Sequence, residues 1–325
     1  MNEPPLKIIY ITGWLRSGST VLGNILNEVP GFFHVGELHF LWKNAAGRGV
    51  NRLCGCGRTL TECPLWSAIL PLCQPSGVSA HAYADTVVHR QRACIRTRHT
   101  WRVLRRGLWS DEISAHAALM TRTYHAIAER TGARVIVDSG KIPGEAALLP
   151  HLEAVTPYYV HLVRDPRAVA QSYRQPKHYV YPMSSVRSTA YWHGFNLASE
   201  ALTRHYPSRS VFLRYEEFLA DPAGTIDALL RLCGADVAAN PMRNRMIELH
   251  VNHTVTGNPD RLRAGATLIR DSDDSWKADL PRPARLAAET LSWPRLWWYG
   301  YRRGGTLPGR PVPAATSAAQ ATDKP

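Results

Sequence analysis

The residues best placed to do chemistry lie in TGWLRSGSTVL, residues 12 to 22. The frame GWLRSGST fits the phosphate-loop pattern G-x-x-x-x-G-K-[ST] at every fixed position except one, where Ser19 stands in place of lysine. A tight turn with Gly13 and Gly18, leading into a helix that opens at Ser19 or Thr20, aims several backbone N–H groups at one anion, aided by the helix dipole. Without the lysine the reach to a γ-phosphate and its magnesium chemistry is lost, which argues against transfer of a terminal nucleotide phosphate. Arg16 enters from inside the loop instead, as a fork for two oxygens of one anion.

A second constellation is YYVHLVRDPRAVAQSY, where a strand ends at Arg164, a D-P turn starts a helix at Pro166, and Ser172 follows eight residues after Arg164. An arginine at a strand end and a hydroxyl two turns along the next helix converge on one more anion. Two separated anion sites suit a ligand phosphorylated at two places.

The elements that must position these groups are written as continuous apolar runs. KIIYIT (7 to 12), ARVIVDS (133 to 139), YYVHLVR (158 to 164) and SVFLRY (210 to 215) read as strands buried on both faces of a parallel sheet. Helical spacing predicts helices at 19–28, 111–131, 144–153, 166–174, 184–205 and 223–233. The alternation gives an α/β fold, a three-layer sandwich with helices on both faces of a mostly parallel sheet. Ligands of such sheets sit at the carboxyl ends of the strands. The expected organisation is one domain over residues 1–303 with a helical, basic insertion at about 43–110, then a disordered Pro, Ala and Thr rich tail at 304–325.

At 325 residues, 45% hydrophobic and 20% charged, the chain has the composition of a soluble globule. Its formal charge of +13, from 39 Lys plus Arg against 26 Asp plus Glu, gives a positive field suited to anionic ligands, nucleic acid or anionic lipid. Seven of the arginines fall between residues 90 and 106, in RQRACIRTRHTWRVLRR. A solvated basic face is the plainer reading of that stretch, and a surface for an anionic acceptor or membrane headgroups the sharper one. The amino terminus is not a secretory signal and no run is long and apolar enough to span a membrane, so a cytoplasmic location is expected, with peripheral membrane contact left open. Four of the six cysteines lie in CGCGRTLTECPLWSAILPLC: Cys54, Cys56, Cys63 and Cys73. C-x-C with a third Cys seven residues on is not a standard zinc spacing and no histidine completes it locally, so reduced structural thiols are favoured over a disulfide or a metal, and no metal is expected.

Taken together, RSGST after the first strand and R-D-P-R-x-x-x-x-S after a later one resemble the 5′-phosphosulfate and 3′-phosphate loops of sulfotransferases that use 3′-phosphoadenosine 5′-phosphosulfate (PAPS). VGELHFLW (35 to 42), VDSGKIP (137 to 143), LRYEEFLADP (213 to 222) and TGNPDRLRAG (256 to 265) extend the resemblance from residue 7 to about 280. It implies a P-loop-like fold and PAPS as co-substrate, with its desulfated 3′,5′-bisphosphate as product. One phosphate in the glycine loop and a second on Arg164 and Ser172 leave no γ-phosphate for a lysine to reach. By the same resemblance Arg16, Ser17, Gly18, Ser19 and Thr20 hold the 5′-phosphosulfate and Arg261 lies near the 3′-phosphate; Tyr215, at a strand end near the expected nucleotide, is a candidate for the adenine, with core packing as the plainer alternative. Glu37 stands where tyrosylprotein and several carbohydrate sulfotransferases have a catalytic glutamate, and Lys141 where the tyrosylprotein enzymes have a lysine on the transferring group. The acceptor implied is a small-molecule, sugar or lipid-linked hydroxyl, and a bacterial source agrees with the Arg, Ala and Pro usage.

Rival readings remain. His34 and His39 compete with Glu37 as base. Asp138, in VIVD, is a Walker B candidate; it would serve magnesium in a P-loop kinase, and is read as structural because the loop lysine is missing. A nucleic-acid binder built on the arginine-rich stretch ranks last, because no nucleic-acid motif accompanies it. The aromatic run SWPRLWWYGY (292 to 301) is expected to dock the carboxyl-terminal segment on the body.

Overall fold

Continuous apolar runs form strands here because both faces of each are covered. The computed structural model describes residues 4–49, 51–175, 181–271, 274–302 and 305–306. Five strands, β1 (Leu6–Thr12), β2 (Phe32–Gly36), β3 (Val135–Lys141), β4 (Val155–Val163) and β5 (Ser210–Arg214), form one sheet in the order β2-β3-β1-β4-β5. Every pairing in it is parallel.

Alternate side chains of these strands enter different cores. Ile8, Tyr10, Ile136 and Tyr159 pack with Trp66, Ile69, Tyr83, Val87 and Ile113, from the helices Pro64–Cys73, Ala80–Cys94 and Asp111–Thr131. Ile9, Ile11, Val135, Val137, Val160 and Leu162 pack with Leu22, Ile25 and Leu26 of α1 (Ser19–Asn27) and with Ile226, Leu229 and Leu230 of the helix Pro222–Leu232. Each fully buried Leu or Ile contributes about 1.5–3 kcal/mol. Residues so disposed on both faces hold a parallel sheet between two helical layers.

Three departures from the sequence reading have physical causes. β2 was not expected: FFHVG is only five residues long and carries a histidine, yet His34 is buried at the sheet edge, where its Nε2 is 3.1 Å from Ser139 Oγ. The helix expected at 144–153 is two short pieces, Pro143–Ala146 and Leu149–His151, because Pro150 offers no backbone N–H to continue a ladder. The segment 43–110 is no appendage, since its helices, with Asp111–Thr131, cover one face of the sheet and join its core. Its arginines 92, 96, 98, 102, 105 and 106 stay exposed, as a solvated basic face requires, while Arg90 pairs with Glu112.

At the carboxyl end of the chain Leu296, Tyr299 and Tyr301 dock against Trp14, Tyr173 and Trp192, whereas Trp293, Trp297 and Trp298 are exposed. A two-residue antiparallel pair, Tyr301–Arg302 with Gly305–Thr306, lies at the start of the expected tail; the rest of 304–325 falls outside the described residues. Among the described residues no helix is long and apolar enough to cross a membrane.

The turn after β1 is packed backbone against backbone. Gly13 has φ 133°, and a Cβ there would stand 2.3 Å from the carbonyl oxygen of Leu162 on β4. Both partners are backbone in the sheet centre, so neither can yield cheaply. Gly13→Ala is expected to lower the unfolding free energy by about 2 kcal/mol or more, read as a reduced urea midpoint; an unchanged midpoint contradicts this packing.

Candidate active site

Each of the five strands delivers one candidate residue or loop at its carboxyl end: Glu37 after β2, Lys141 at the end of β3, the glycine loop 13–18 after β1, Arg164 after β4 and Tyr215 after β5. They meet around an open cavity of about 410 Å³. Arg16, Gly18, Ser19, Thr20, Glu37, Lys141, Arg164 and Tyr215 all line it.

The loop is shaped by what it touches. Gly18, at φ 87°, precedes α1, and a Cβ on it would enter the Tyr215 ring at 2.3 Å. Ser17 does not present its hydroxyl to the cavity as expected; the group is buried and donates to the carbonyl of Trp14 at 2.8 Å, closing the loop on itself. Thr20 Oγ1 accepts from the amide of Asn258 at 3.3 Å. Arg16 has a left-handed backbone, φ 72°, which for a non-glycine residue costs of order 1–2 kcal/mol. Its carbonyl accepts from Arg164 Nη1 at 3.1 Å and its Nε donates to Ser172 Oγ at 3.0 Å. Arg164 in turn lies over the Tyr215 ring, 4.7 Å from its centroid.

Arg16, Arg164 and Ser172 also line a smaller, adjoining cavity of about 140 Å³, with Gln171 and Ser275. The two arginines therefore border both spaces, and Ser172 only the second.

Lys141 reaches the larger cavity through a backbone irregularity. In β3 two residues separate Asp138 from Lys141 where in β1 one separates Tyr10 from Thr12, a bulge that re-aims the strand end. Lys141 has φ 65°, and its buried Nζ donates to Glu37 Oε1 at 2.6 Å and to the carbonyl of Ser139 at 3.0 Å. Glu37 and Lys141 are thus one buried ion pair on the cavity wall.

The remaining candidates go elsewhere. Arg261 does not line the cavity: its buried guanidinium donates to Gly257 O at 3.2 Å, Asn51 Oδ1 at 2.8 Å and Leu53 O at 2.9 Å, holding the loop behind Thr20. His34 faces Ser139 inside the fold, and burial, then the Lys141 charge, lower its pKa to about 3. Asp138 accepts from Tyr124 OH and from the Gly140 amide, both at 2.7 Å, and burial pushes it up to about 7. It borders a cavity of about 30 Å³ behind the sheet edge, so the Walker B reading loses its geometry. His39 shares that cavity, with Nδ1 2.8 Å from Glu145 Oε1 and His116 Nε2 3.2 Å from the same oxygen. The sequence reading also missed Lys43, Asn44, Thr256 and Asn258 on the larger cavity; Lys43, six residues after Glu37 on the following helix, was the one within reach of a spacing argument.

Fold and site define an α/β protein whose glycine loop, arginines and buried lysine gather at the carboxyl ends of parallel strands. A family model described as the sulfotransferase family matches residues 9–239, and the chain belongs to that family. Solved structures similar to it include the sulfotransferase domain of a Synechococcus olefin synthase (20% identity, TM-score 0.47, covering 90% of this chain and 96% of that one). The sulfotransferase domain from the curacin biosynthetic pathway has 16% identity and TM-score 0.49, covering 93% and 99%. A sulfotransferase of Mycobacterium tuberculosis has 16% identity and TM-score 0.39, covering 71% and 68%. No curated protein sequence matches the chain.

The His39 and Glu145 pair gives a pH signature. Burial pulls the His39 imidazole down, but Glu145, then Glu37 and Asp138, raise it above its ordinary 6.5. Burial pushes the Glu145 carboxyl up from its ordinary 4.5, yet His39 and His116 outweigh it and hold it well below. A raised histidine stabilises the fold below its ordinary value and loses that contribution as pH rises through the raised one; a depressed carboxyl loses its contribution as pH falls. The stability difference between wild type and His39→Gln is expected to be largest between pH 4.5 and 6.5 and to shrink on either side. Urea unfolding across pH measures it, and a difference that grows with alkalinity contradicts the pair.

Proposed function

We propose that the protein transfers a sulfuryl group from PAPS to an acceptor hydroxyl. The observation that carries this reading is the meeting of the glycine loop, Arg16, Arg164 and the Glu37–Lys141 pair around one cavity, with Ser172 on the space next to it. A donor with one phosphate at each end of a ribose needs two anion sites and no magnesium; the loop without lysine and the pair Arg164 and Ser172 supply donors for both.

In this reading the amides of the glycine loop and the Arg16 fork hold the 5′-phosphosulfate. Negative charge grows there on the phosphate oxygen as its bond to sulfur breaks, and preorganised donors are worth most at such a point. Glu37 accepts the proton of the acceptor hydroxyl as that oxygen bonds to sulfur. Lys141 fixes the carboxylate before the acceptor arrives and neutralises the transferring oxygens. Arg164 and Ser172 hold the 3′-phosphate, with the adenine against Tyr215. The acceptor class is a small-molecule, sugar or lipid-linked hydroxyl, and Phe40 and Lys43 also line the cavity it would enter.

Calorimetric titration with 3′,5′-ADP, 5′-AMP and ATP, each with and without magnesium, tests the donor. Expected is tight, magnesium-independent binding of 3′,5′-ADP alone; best binding of magnesium ATP overturns the reading. Arg164→Ala should weaken 3′,5′-ADP by roughly 10- to 100-fold, the worth of a charge-assisted contact, and leave 5′-AMP almost unchanged, whereas equal losses for both remove Arg164 from the 3′-phosphate. Glu37→Gln should cut kcat by about 100-fold or more at near-normal 3′,5′-ADP affinity. Because that change strands a buried lysine, its Tm is compared with that of the double variant carrying Lys141→Met. Full turnover in Glu37→Gln removes it as the base.

A further inference from the structure

Three cysteines and one histidine converge away from the cavity, in a place the proposed chemistry does not use. Cys54 and Cys56 lie in the turn CGCG, Cys63 immediately precedes the helix Pro64–Cys73, and His253 arrives from 190 residues beyond Cys63. Their four ligand atoms all lie within 4.8 Å of one another. Cys54 Sγ is 3.5 Å from Cys63 Sγ, and His253 Nδ1 is 3.2 Å from Cys63 Sγ and 3.8 Å from Cys54 Sγ. No disulfide joins any of the three cysteines. An ion with tetrahedral bonds of about 2.3 Å to sulfur and about 2.0 Å to nitrogen sets its ligands roughly 3.5 to 3.8 Å apart, close to the 3.2 to 3.8 Å found among Cys54, Cys63 and His253.

We propose that Cys54, Cys56, Cys63 and His253 bind one Zn²⁺ ion in a closed, structural Cys₃His site. Three thiolates and an imidazole are a soft, four-donor set that selects zinc over oxygen-seeking cations, and a full protein shell leaves no position for a substrate. The ligand-bearing backbone is fixed by contacts of its own. The amide of Cys54 donates to Arg58 O at 2.7 Å, that of Gly55 to Thr254 O at 2.9 Å, and the fully buried Trp66 indole to His253 O at 2.6 Å. Arg261 supplies an independent argument. Its buried guanidinium forms no ion pair among the described residues, yet it donates to Leu53 O, next to Cys54. Zinc with three thiolates carries one net negative charge, which is the counter-charge this cation lacks.

The site would tie the cysteine turn to the segment that carries Thr256, Gly257 and Asn258 to the cavity wall. It stands whether or not PAPS is the donor.

The test is the metal content of the full chain, purified under reducing conditions from zinc-supplemented cells, by elemental analysis and native mass spectrometry. About one equivalent of zinc is expected. Cys73→Ser, which changes a buried cysteine outside the cluster, should keep it; Cys63→Ser and His253→Ala should lose it. Should those variants not fold, the wild type still decides the matter: exchange into cobalt should give the visible absorption of tetrahedral thiolate-bound cobalt, and chelation should lower Tm by roughly 5 °C or more. Folded wild type that holds no zinc and takes up no cobalt overturns the proposal. So does a cluster whose mass is lighter by two hydrogens, the sign of a disulfide, or a Tm indifferent to chelation.

Discussion

All five strands of the sheet run the same way, and the rest of the molecule follows from that constraint. Parallel strands have their carboxyl ends on one edge, so chemistry placed just after each strand is gathered without any long-range design of loops. The cost is that every connection must cross back over a face of the sheet, which covers both faces with helix. A sheet so covered needs apolar side chains on both sides of every strand, and the two separate cores that claim alternate residues of β1, Ile8 and Tyr10 against Ile9 and Ile11, are the result.

That same demand is why much of the fold was legible in the sequence. A strand buried on both faces is written as an unbroken apolar run, and four such runs became four strands of the sheet. The edge strand β2 was hidden because five residues with a central histidine look like a loop until Ser139 is brought beside them. The site was legible to the extent that its residues lie at or just after strand ends, as Arg16, Glu37, Lys141, Arg164 and Tyr215 do. Arg261 was not, because an arginine in a loop carries no local mark of whether it faces a ligand or a neighbouring carbonyl; Leu53 and Asn51, more than 200 residues away, decided it. The cysteine turn was opaque for the same reason, since the histidine beside it comes from the far end of the chain.

Local backbone strain is concentrated where the cations are. Four non-glycine residues with positive φ are found among those described, and two of them are Arg16 and Lys141. Such conformations persist only where the surroundings over-determine them. Arg16 is held by Arg164 and Ser172, Lys141 by Glu37 and Ser139. The lysine missing from the glycine loop has no replacement at Ser19, but a lysine does reach the same cavity from the next strand of the sheet, turned toward it by the bulge in β3.

The bond between Lys141 and Glu37 also has a consequence for which anions the proposed site would admit. An unengaged ammonium in a half-buried pocket is a trap for any small inorganic anion in the surrounding medium. Here the ammonium already holds a carboxylate, so a chloride or free phosphate must displace a covalently tethered competitor whose local concentration never falls. Only a guest anchored at other points as well recovers enough to displace it. In the proposed site the pair would thereby discriminate by the number of simultaneous attachments and not by charge alone.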